Sequence, residues 1–331
     1  MEKEKIKVGV AGMGFYFPET IVDTEDVANE INLSEKFYRN IGVKKIFKPS
    51  EKDHPSKMAY ESAVNALNDA GTAPEKIDMI ITAVFKNDYL HWQMGAWLKD
   101  KLNAKNAVTL EVKGGCGAHF QAVELAVDQI KASSGINTVL VICAERLYGY
   151  GWPTFLSSGG QSILIKRDCE QFNYIGFATN NFIAYHNMAH IPHGGTASPF
   201  TQEIGWEGDS FVENVTVDKD MYLKHIKPVV FCKFADVTED ILRQTGYLRQ
   251  DIDYMVTLVQ QQNFDERILK AIGIPDVPNA NEFKSDLGHF SGADSYILLD
   301  KARKAQKIKK GDLILKIVLG GVSWFASLIR Y

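Results

Sequence analysis

Apolar residues follow two alternating periods along the first half of the chain, and these periods predict an α/β protein. The predicted strands are short apolar runs, at residues 6–13, 78–85, 107–112 and 138–143. The predicted helices have apolar positions at helical spacing, over residues 24–31, 56–70, 92–102 and 117–133. Strands that alternate with helices in this way indicate a parallel or mixed sheet that is covered on both faces.

The same alternation returns after an irregular stretch at residues 168–220. The later helices are predicted over residues 221–244, with a break at Pro228, and over residues 264–272 and 291–304. The later strands are predicted at residues 254–259, 313–319 and 327–330. Two similar α/β halves therefore follow each other, at residues 1–170 and 171–331. Since no polar linker separates them, we expect the halves to pack into one body.

Composition and charge exclude several classes of protein. Of the 331 residues, 45% are hydrophobic and 24% are charged, which is typical of a globular chain and not of a disordered one. The formal net charge of −4 gives no electrostatic basis for binding nucleic acid. No apolar run approaches the roughly 18 residues of a membrane span. No signal peptide is visible, so we expect a cytoplasmic protein without a membrane partner.

The cysteines and histidines give no sign of a metal centre. The four cysteines form no CxxC pair, which argues against a structural zinc site or a disulfide framework, and they lie at positions 116, 143, 169 and 232. Three histidines, at positions 186, 190 and 193, lie close together, but proline and glycine in that stretch favour a loop over a helix. We therefore expect no bound metal.

Cys116 stands in an unusual local setting. It follows a predicted strand and precedes a predicted helix, with glycines at positions 114, 115 and 117. Glycines let backbone amides approach a bound group closely, and the amides at a helix start favour an anion. The pKa of the Cys116 thiol is therefore expected to be low, as in a nucleophile that accepts an acyl group. From this motif alone, a small buried packing residue is an equally good interpretation.

Five segments resemble ketoacyl-acyl-carrier-protein synthase III, of the thiolase superfamily. They are the opening strand and loop, the segment after it, the cysteine elbow, the start of a later helix and a glycine turn, at residues 12–21, 34–48, 111–118, 230–235 and 319–324. The resemblance implies a thiolase-like, five-layered α-β-α-β-α fold of two similar halves, and a homodimer. It implies an acyl thioester of coenzyme A or of acyl carrier protein as substrate, and no permanently bound cofactor.

The sequence departs from this family at the residues that work beside the cysteine. The family uses Cys, His and Asn, and its His opens a His-Gln-x-Asn stretch. Residues 260–263 read Gln-Gln-Gln-Asn, which puts Gln260 at the family's His position. The family's Asn lies in a Gly-Asn-Thr-Ser stretch, and residues 288–291 read Gly-His-Phe-Ser, which puts His289 there. The predicted catalytic residues are therefore Cys116, Gln260 and His289.

The resemblance also implies residues that bind the thioester. The backbone amides of Cys116 and of the Gly320 and Gly321 turn would form an oxyanion hole. The other predicted substrate-binding residues are Asn263, Lys233, Arg267 and His91. For Lys233 and Arg267, a solvated charge is an equally good interpretation. His91 would either shape the floor of an acyl pocket or supply a base in trans to a second subunit.

The displaced imidazole favours acyl transfer over routine fatty-acid initiation. In the family, His and Asn together hold the enolate oxygen during decarboxylation, and losing one such donor costs roughly 10²–10³-fold. Cys116 and the glycine turn are kept, so we expect loading of an acyl group on Cys116 and its transfer to an acceptor in specialised metabolism, with His289 as a base.

Two alternatives stay open. One is a decarboxylating ketoacyl synthase that joins carbon to a malonyl thioester, and the other is a non-catalytic partner subunit of an active homologue.

Overall fold

The structure is a computed structural model, and it describes residues 6–30, 32–133, 135–149, 155–181, 189–193, 195–199 and 216–331. The strands β1 to β13 are, in chain order, Val8–Tyr16, Thr20–Asp23, Lys45–Lys48, Met79–Thr82, Val108–Glu111, Thr138–Arg146, Ser158–Arg167, Asn173–Asn181, Ala189–His190, Thr216–Val217, Tyr254–Val256, Leu313–Gly320 and Ser323–Arg330. The helices α1 to α9 are, in chain order, Thr24–Glu30, Glu35–Ile41, Pro55–Asp69, Met94–Leu102, Ala118–Ala132, Lys219–Met221, Val230–Thr245, Phe264–Ile272 and Asp294–Lys304. Within the described ranges, no helix is long and apolar enough to cross a membrane.

Two mixed sheets form the frame of the molecule. The first sheet has the order β1-β7-β6-β4-β5, in which β4 runs parallel to β5 and β6 and the other pairs are antiparallel. The second has the order β11-β12-β13-β8, in which only β11 and β12 are parallel. The first sheet is built from residues 8–167 and the second from residues 173–330, so each sheet falls on one side of residue 170.

The helices and sheets are stacked in five layers. Helices α3 and α4 cover the outer face of the first sheet, and α7 and α8 cover the outer face of the second. Helices α5 and α9 lie between the sheets, where Val123 and Leu298 belong to a core cluster that includes Val141 of the first sheet and Ile314 of the second. The predicted α-β-α-β-α layering is therefore present.

Most elements that the hydrophobic pattern predicts are present, with small shifts at their ends. Helix α8 has the predicted bounds, and the predicted break at Pro228 lies between a π-helical turn, Tyr222–Ile226, and α7. The prediction of an irregular stretch over residues 168–220 is wrong in part, because β8 forms the edge of the second sheet there. Its Asn and Thr positions, some of them exposed, hide the strand pattern.

Strand β7 was not predicted because it begins with small and polar residues, Ser-Gly-Gly-Gln-Ser, that are nevertheless buried. The two serines have partners: the hydroxyl of Ser162 lies 2.8 Å from that of Ser62 in α3, and the hydroxyl of Ser158 accepts from Tyr148 N at 3.0 Å. Buried polar groups need such partners.

Gly14 of β1 allows α3 to lie directly against the first sheet. A Cβ atom at Gly14 would lie 2.1 Å from the backbone nitrogen of Ala66 and 2.1 Å from the carbonyl oxygen of Ser62. Both atoms belong to the backbone of α3, so neither can move aside without moving the helix. The absence of a side chain at this position therefore sets the distance between the outer helix and the sheet.

We expect Gly14→Ala to lower the free energy of unfolding by about 3 kcal/mol or more, because α3 must shift away from β1. Gly135→Ala is the matched control, since a Cβ atom there meets only the Ser133 hydroxyl oxygen, at 3.8 Å. It should change the stability by less than about 1 kcal/mol. Denaturant unfolding of both variants measures the difference, and equal stabilities would contradict this account of the α3 contact.

Candidate active site

Cys116 lies at a tight junction between β5 and α5. Strand β5 ends at Glu111, a 3₁₀ turn covers Gly115–Gly117, and α5 begins at Ala118. Gly115 has a φ of +59°, a left-handed conformation that glycine adopts without strain. This turn leaves Cys116 half-buried at the start of a helix between the two sheets. The predicted strand-to-helix setting of this cysteine is therefore present.

The glycine turn after β12 packs against the backbone of this junction. A Cβ atom at Gly320 would lie 2.2 Å from the backbone nitrogen of Gly117 and 3.1 Å from the carbonyl carbon of Cys116. Gly321 follows with a φ of +64°. Only glycine fits such a close approach of two backbones. The fold thus brings Cys116 and the Gly320–Gly321 turn together, as the oxyanion-hole prediction requires.

His289 contacts the sulfur of Cys116. Its Nε2 lies 3.4 Å from Cys116 Sγ, and the residue is only 5% exposed. The backbone nitrogen of His289 donates to the carbonyl oxygen of Phe155 at 2.8 Å, and its carbonyl oxygen accepts from Ser157 N at 2.9 Å. The ring of Phe155 stacks on the imidazole at 5.2 Å between centroids. The imidazole of His289, from the second half of the chain, therefore lies next to the sulfur of Cys116, from the first half.

Asp294, at the first position of α9, completes this arrangement and was missed by the sequence analysis. Its carboxylate accepts a hydrogen bond from His289 Nδ1 at 2.5 Å, and it is fully buried. It also accepts from the backbone nitrogens of Phe290, at 2.6 Å, and Val259, at 2.8 Å. A hydrogen on Nδ1 leaves Nε2 to face the sulfur. The signal in the sequence was an acidic residue five positions after His289, at the start of a predicted helix.

Electrostatics favour a thiolate paired with an imidazolium. Burial alone would raise the pKa of the Cys116 thiol, but the charge of His289 and hydrogen bonds from His289 and Ser291 lower it below its ordinary value. Burial alone would lower the pKa of His289, but the charges of Asp294 and Cys116 raise it well above its ordinary value. The attraction between the thiolate and the imidazolium contributes to both shifts, and Asp294 adds to the shift of His289. Such a site offers a nucleophilic sulfur and a group that gives or takes a proton.

Gln260 lies half-buried between β11 and α8. In the part of the chain that the structure describes, it forms no hydrogen bond with Cys116 or His289, and its catalytic role stays a prediction. The segment is held against α2, because the backbone nitrogen of Gln262 donates to the carbonyl oxygen of Asn40 at 3.1 Å. The structure therefore places a pair, Cys116 and His289, in contact, and the third predicted member has no hydrogen bond to either of them.

The other predicted substrate-binding residues lie at the surface or close to it. Asn263 is exposed, with a φ of +64° directly before α8. Arg267 of α8 stacks over the ring of Phe231 at 4.0 Å, and Lys233 of α7 pairs with Asp236 at 2.9 Å. His91 is exposed just before α4. Their contacts with a substrate stay predictions.

The histidine cluster that was considered for a metal falls only partly within the described residues. His186 lies outside them, whereas His190 belongs to β9 and the ring of His193 hydrogen-bonds to Ser198 at 2.8 Å. Across the described ranges, no group of three or more His, Cys, Asp or Glu side chains is placed to hold a metal ion.

Comparison with known proteins gives relatives over nearly the whole chain. Residues 242–331 match the family model of the C-terminal part of 3-oxoacyl-[acyl-carrier-protein] synthase III. The chain is 26% identical to the beta-ketoacyl-[acyl-carrier-protein] synthase III of Caldanaerobacter subterraneus subsp. tengcongensis, over 99% of both proteins. Among solved structures, the priming beta-ketosynthase of the R1128 polyketide pathway superposes with a TM-score of 0.84 at 17% identity, covering 100% of this chain and 98% of that one. The acyltransferase ChlB3 superposes with a TM-score of 0.81 at 18% identity, covering 98% and 97%.

The two sheets, the three helical layers and these superpositions define a thiolase-like fold. Within that class, the chain is similar to ketoacyl synthase III proteins along its full length, and its C-terminal segment matches the model of that family. At the segments that resemble the family's His-Gln-x-Asn and Gly-Asn-Thr-Ser stretches, this sequence has Gln260 and His289, and the carboxylate of Asp294 accepts a hydrogen bond from His289.

We expect Asp294→Asn to raise the pKa of Cys116, because the His289 imidazolium loses the carboxylate that stabilises it. The direct repulsion between the Asp294 carboxylate and the thiolate is lost as well, but it affects the cysteine less than the charge of His289 does. A rise of about one pKa unit lowers the rate of Cys116 alkylation by iodoacetamide about tenfold at a pH well below both pKa values. Peptide mapping separates Cys116 from the other three cysteines.

Asp300→Asn is the matched control for that experiment. Asp300 is a second buried aspartate on α9, but it pairs with Arg303 and Lys304 instead of a site residue. Its replacement should leave the alkylation profile unchanged. An unchanged profile for Asp294→Asn would show that Asp294 does not set the charge of His289.

Proposed function

We propose that the protein is a thioester-dependent acyltransferase of the ketoacyl synthase III type, acting in specialised metabolism. An acyl group from coenzyme A or acyl carrier protein is loaded on Cys116 and passed to an acceptor. The observation that carries this proposal is the 3.4 Å contact between Cys116 Sγ and His289 Nε2, with Asp294 on the other side of the imidazole. The full-length similarity to synthase III enzymes supports the choice of thioester substrates.

Loading begins with the Cys116 thiolate, which attacks the carbonyl carbon of the acyl thioester. The backbone amides of Cys116 and the Gly320–Gly321 turn are the proposed donors to the oxygen anion that forms. When the tetrahedral intermediate collapses, the carbon–sulfur bond to the donor breaks. The leaving thiolate takes the proton from Nε2 of the His289 imidazolium. Acyl-Cys116, neutral His289 and a free thiol result.

Transfer uses the same imidazole in the opposite direction. Neutral His289 accepts a proton at Nε2 from the incoming acceptor as the acceptor attacks the acyl carbonyl. The bond to Cys116 Sγ breaks and the thiolate leaves, which restores the original ion pair. Asp294 stabilises the imidazolium in both steps, and its contact with Nδ1 keeps the ring in one orientation. These steps need no permanently bound cofactor.

A decarboxylating ketoacyl synthase is the second candidate. It requires hydrogen-bond donors to the enolate oxygen of a malonyl unit, and the amide of Gln260 is the available group near the family's His position. The structural similarity to a priming beta-ketosynthase favours this candidate. The structural similarity to the acyltransferase ChlB3 favours simple acyl transfer. A non-catalytic partner subunit is disfavoured, because such a subunit needs no buried Cys–His–Asp arrangement.

The proposed thioester carriers bring phosphate groups. Lys233 of α7 and Arg267 of α8 are the proposed cationic contacts for a coenzyme A phosphate or for the carrier protein. Asn263 lies one turn before Arg267, whose backbone nitrogen donates to the carbonyl oxygen of Asn263 at 3.2 Å. His91 is proposed to shape the acyl pocket from the dimer contact.

A second copy of this chain is the proposed partner at strand β5. This strand pairs with β4 on one side and forms the edge of the first sheet. Val108 and Leu110 on this edge are 55% and 40% exposed. Exposed backbone groups and apolar side chains on an edge strand favour pairing with another strand.

We expect Leu110→Lys to convert a dimer into a monomer, because a charge would be buried in the strand pair. Light scattering after size-exclusion chromatography measures the mass. Leu248→Lys is the control, since Leu248 is comparably exposed, at 58%, but lies away from β5. A monomeric wild type, or a Leu110→Lys variant that stays dimeric, would contradict this interface.

We expect the intact mass of the protein to increase by one acyl group after incubation with a suitable member of a panel of acyl-CoA donors. Cys116→Ala should not gain this mass, because the nucleophile is missing. Cys232→Ala, which changes the exposed cysteine outside the site, is the control and should be acylated like the wild type. Release of the acyl group to an acceptor without consumption of malonyl-CoA would distinguish transfer from decarboxylating condensation.

Full acylation of Cys116→Ala would overturn the proposed role of Cys116. Carbon dioxide release from malonyl-CoA by the acylated wild type would replace simple acyl transfer with the ketoacyl synthase alternative. Acylation of neither the wild type nor Cys232→Ala, with acyl carrier protein donors included in the panel, would support the non-catalytic alternative.

A further inference from the structure

A buried lysine–aspartate pair lies close to the active site and has no role in the steps above. Nζ of Lys284 lies 2.6 Å and 2.7 Å from the two carboxylate oxygens of Asp265, near the start of α8. The two residues are only 5% and 1% exposed. Nζ also donates to the carbonyl oxygen of Leu258, at 2.8 Å, in the loop after β11. This third contact of the ammonium relates the pair to the catalytic residues.

The carbonyl group of Leu258 belongs to the same peptide unit as the N–H of Val259. In a trans peptide these two groups point in opposite directions. The carbonyl oxygen faces the Lys284 ammonium, and the Val259 nitrogen donates to Asp294 Oδ2 at 2.8 Å. One peptide unit therefore lies between a buried cation and a buried carboxylate, with a charge-assisted hydrogen bond at each end.

Hydrogen bonds continue from this peptide unit to the reactive sulfur. The Asp294 carboxylate accepts from His289 Nδ1 at 2.5 Å, and His289 Nε2 lies 3.4 Å from Cys116 Sγ. Connected hydrogen bonds in a dry interior polarise and strengthen one another. A cation at the carbonyl end makes the N–H of the peptide a better donor, and an N–H that donates to a carboxylate stabilises its ionised form. The position of Lys284 therefore affects the charges of the site.

We propose that Lys284 is a positioning residue for the catalytic pair. Its ammonium fixes the peptide unit between Leu258 and Val259. The N–H of this unit then stabilises the Asp294 carboxylate, which in turn stabilises the imidazolium. Asp265 keeps the ammonium in place. The inference rests on the thiolate–imidazolium pair of the proposed function, but not on the identity of donor or acceptor.

The pKa of the Cys116 thiol is the readout, because the thiolate depends on the imidazolium. Ultraviolet absorbance of the thiolate measures it, with the same variant carrying Cys116→Ala as blank. Lys284→Met alone would leave the Asp265 carboxylate buried without its cation, which is destabilising. The test variant is therefore Lys284→Met/Asp265→Leu, in which two apolar side chains replace the pair.

We expect the double variant to raise the Cys116 pKa by about half a unit, which lowers the thiolate fraction roughly threefold well below both pKa values. This is less than the rise expected for Asp294→Asn, because the carboxylate itself stays. In an Asp294→Asn background, the same double change should give no further rise. Such non-additivity shows that two changes act through one connection, whereas a general effect on stability would add to the first.

Two single variants separate the contact with Leu258 from a general loss of charge. Asp265→Asn keeps the ammonium on the Leu258 carbonyl oxygen and should not raise the pKa of the cysteine. Lys57→Met is the matched control, because it removes an ammonium that pairs with the buried Asp53 of the first half at 3.1 Å. It should leave that pKa unchanged.

An unchanged Cys116 pKa in the double variant would overturn the proposal. An equal rise in the Asp294→Asn background would overturn it as well, because the lysine would then act by another route. So would a rise in Asp265→Asn or Lys57→Met as large as in the double variant. A wild-type cysteine that titrates as an ordinary thiol would overturn both the ion pair and this inference. None of these titrations uses an acyl donor, so a failed acylation experiment would be a separate result.

Discussion

The buried carboxylate of Asp294 is the constraint on which the active site depends. It accepts hydrogen bonds from the loop after β11, at Val259 N, and from the loop before α9, at Phe290 N and His289 Nδ1. A buried carboxylate without partners costs several kcal/mol. The two loops and the imidazole must therefore keep their places for the carboxylate to stay satisfied. Because Nδ1 is occupied in this way, Nε2 is the nitrogen that faces Cys116.

The reactivity of Cys116 depends on contacts between its local glycine-rich turn and distant parts of the chain. The glycine-rich turn at Cys116 comes from the first half, whereas the imidazole, its carboxylate and Gly320 come from the second. Burial opposes both charges of the thiolate–imidazolium pair, and the pair forms because each charge stabilises the other.

The sequence predicted the features that depend on local pattern or on motifs. The bounds of α8, the break at Pro228, the junction at Cys116 and the glycine turn all follow from residues near each other in the chain. Strands β7 and β8 were not predicted, because their stability comes from pairing and from burial of small polar residues. Asp294 was not predicted, because it lies outside the two segments that resemble the family's His-Gln-x-Asn and Gly-Asn-Thr-Ser stretches. No local rule relates Gln260 to Cys116, and its role stays a prediction.

The central claim is that His289 is an imidazolium paired with the Cys116 thiolate and held by Asp294. Nitrogen-15 NMR of histidine-labelled protein tests it most directly, with His289→Gln used to assign the signal. We predict that both ring nitrogens of His289 are protonated near pH 7 and that Nδ1 carries a strongly deshielded proton. Alkylation of Cys116 should make the ring easier to deprotonate, because the thiolate charge is lost. A His289 that is neutral near pH 7 before alkylation, with a proton on only one nitrogen, would contradict the account.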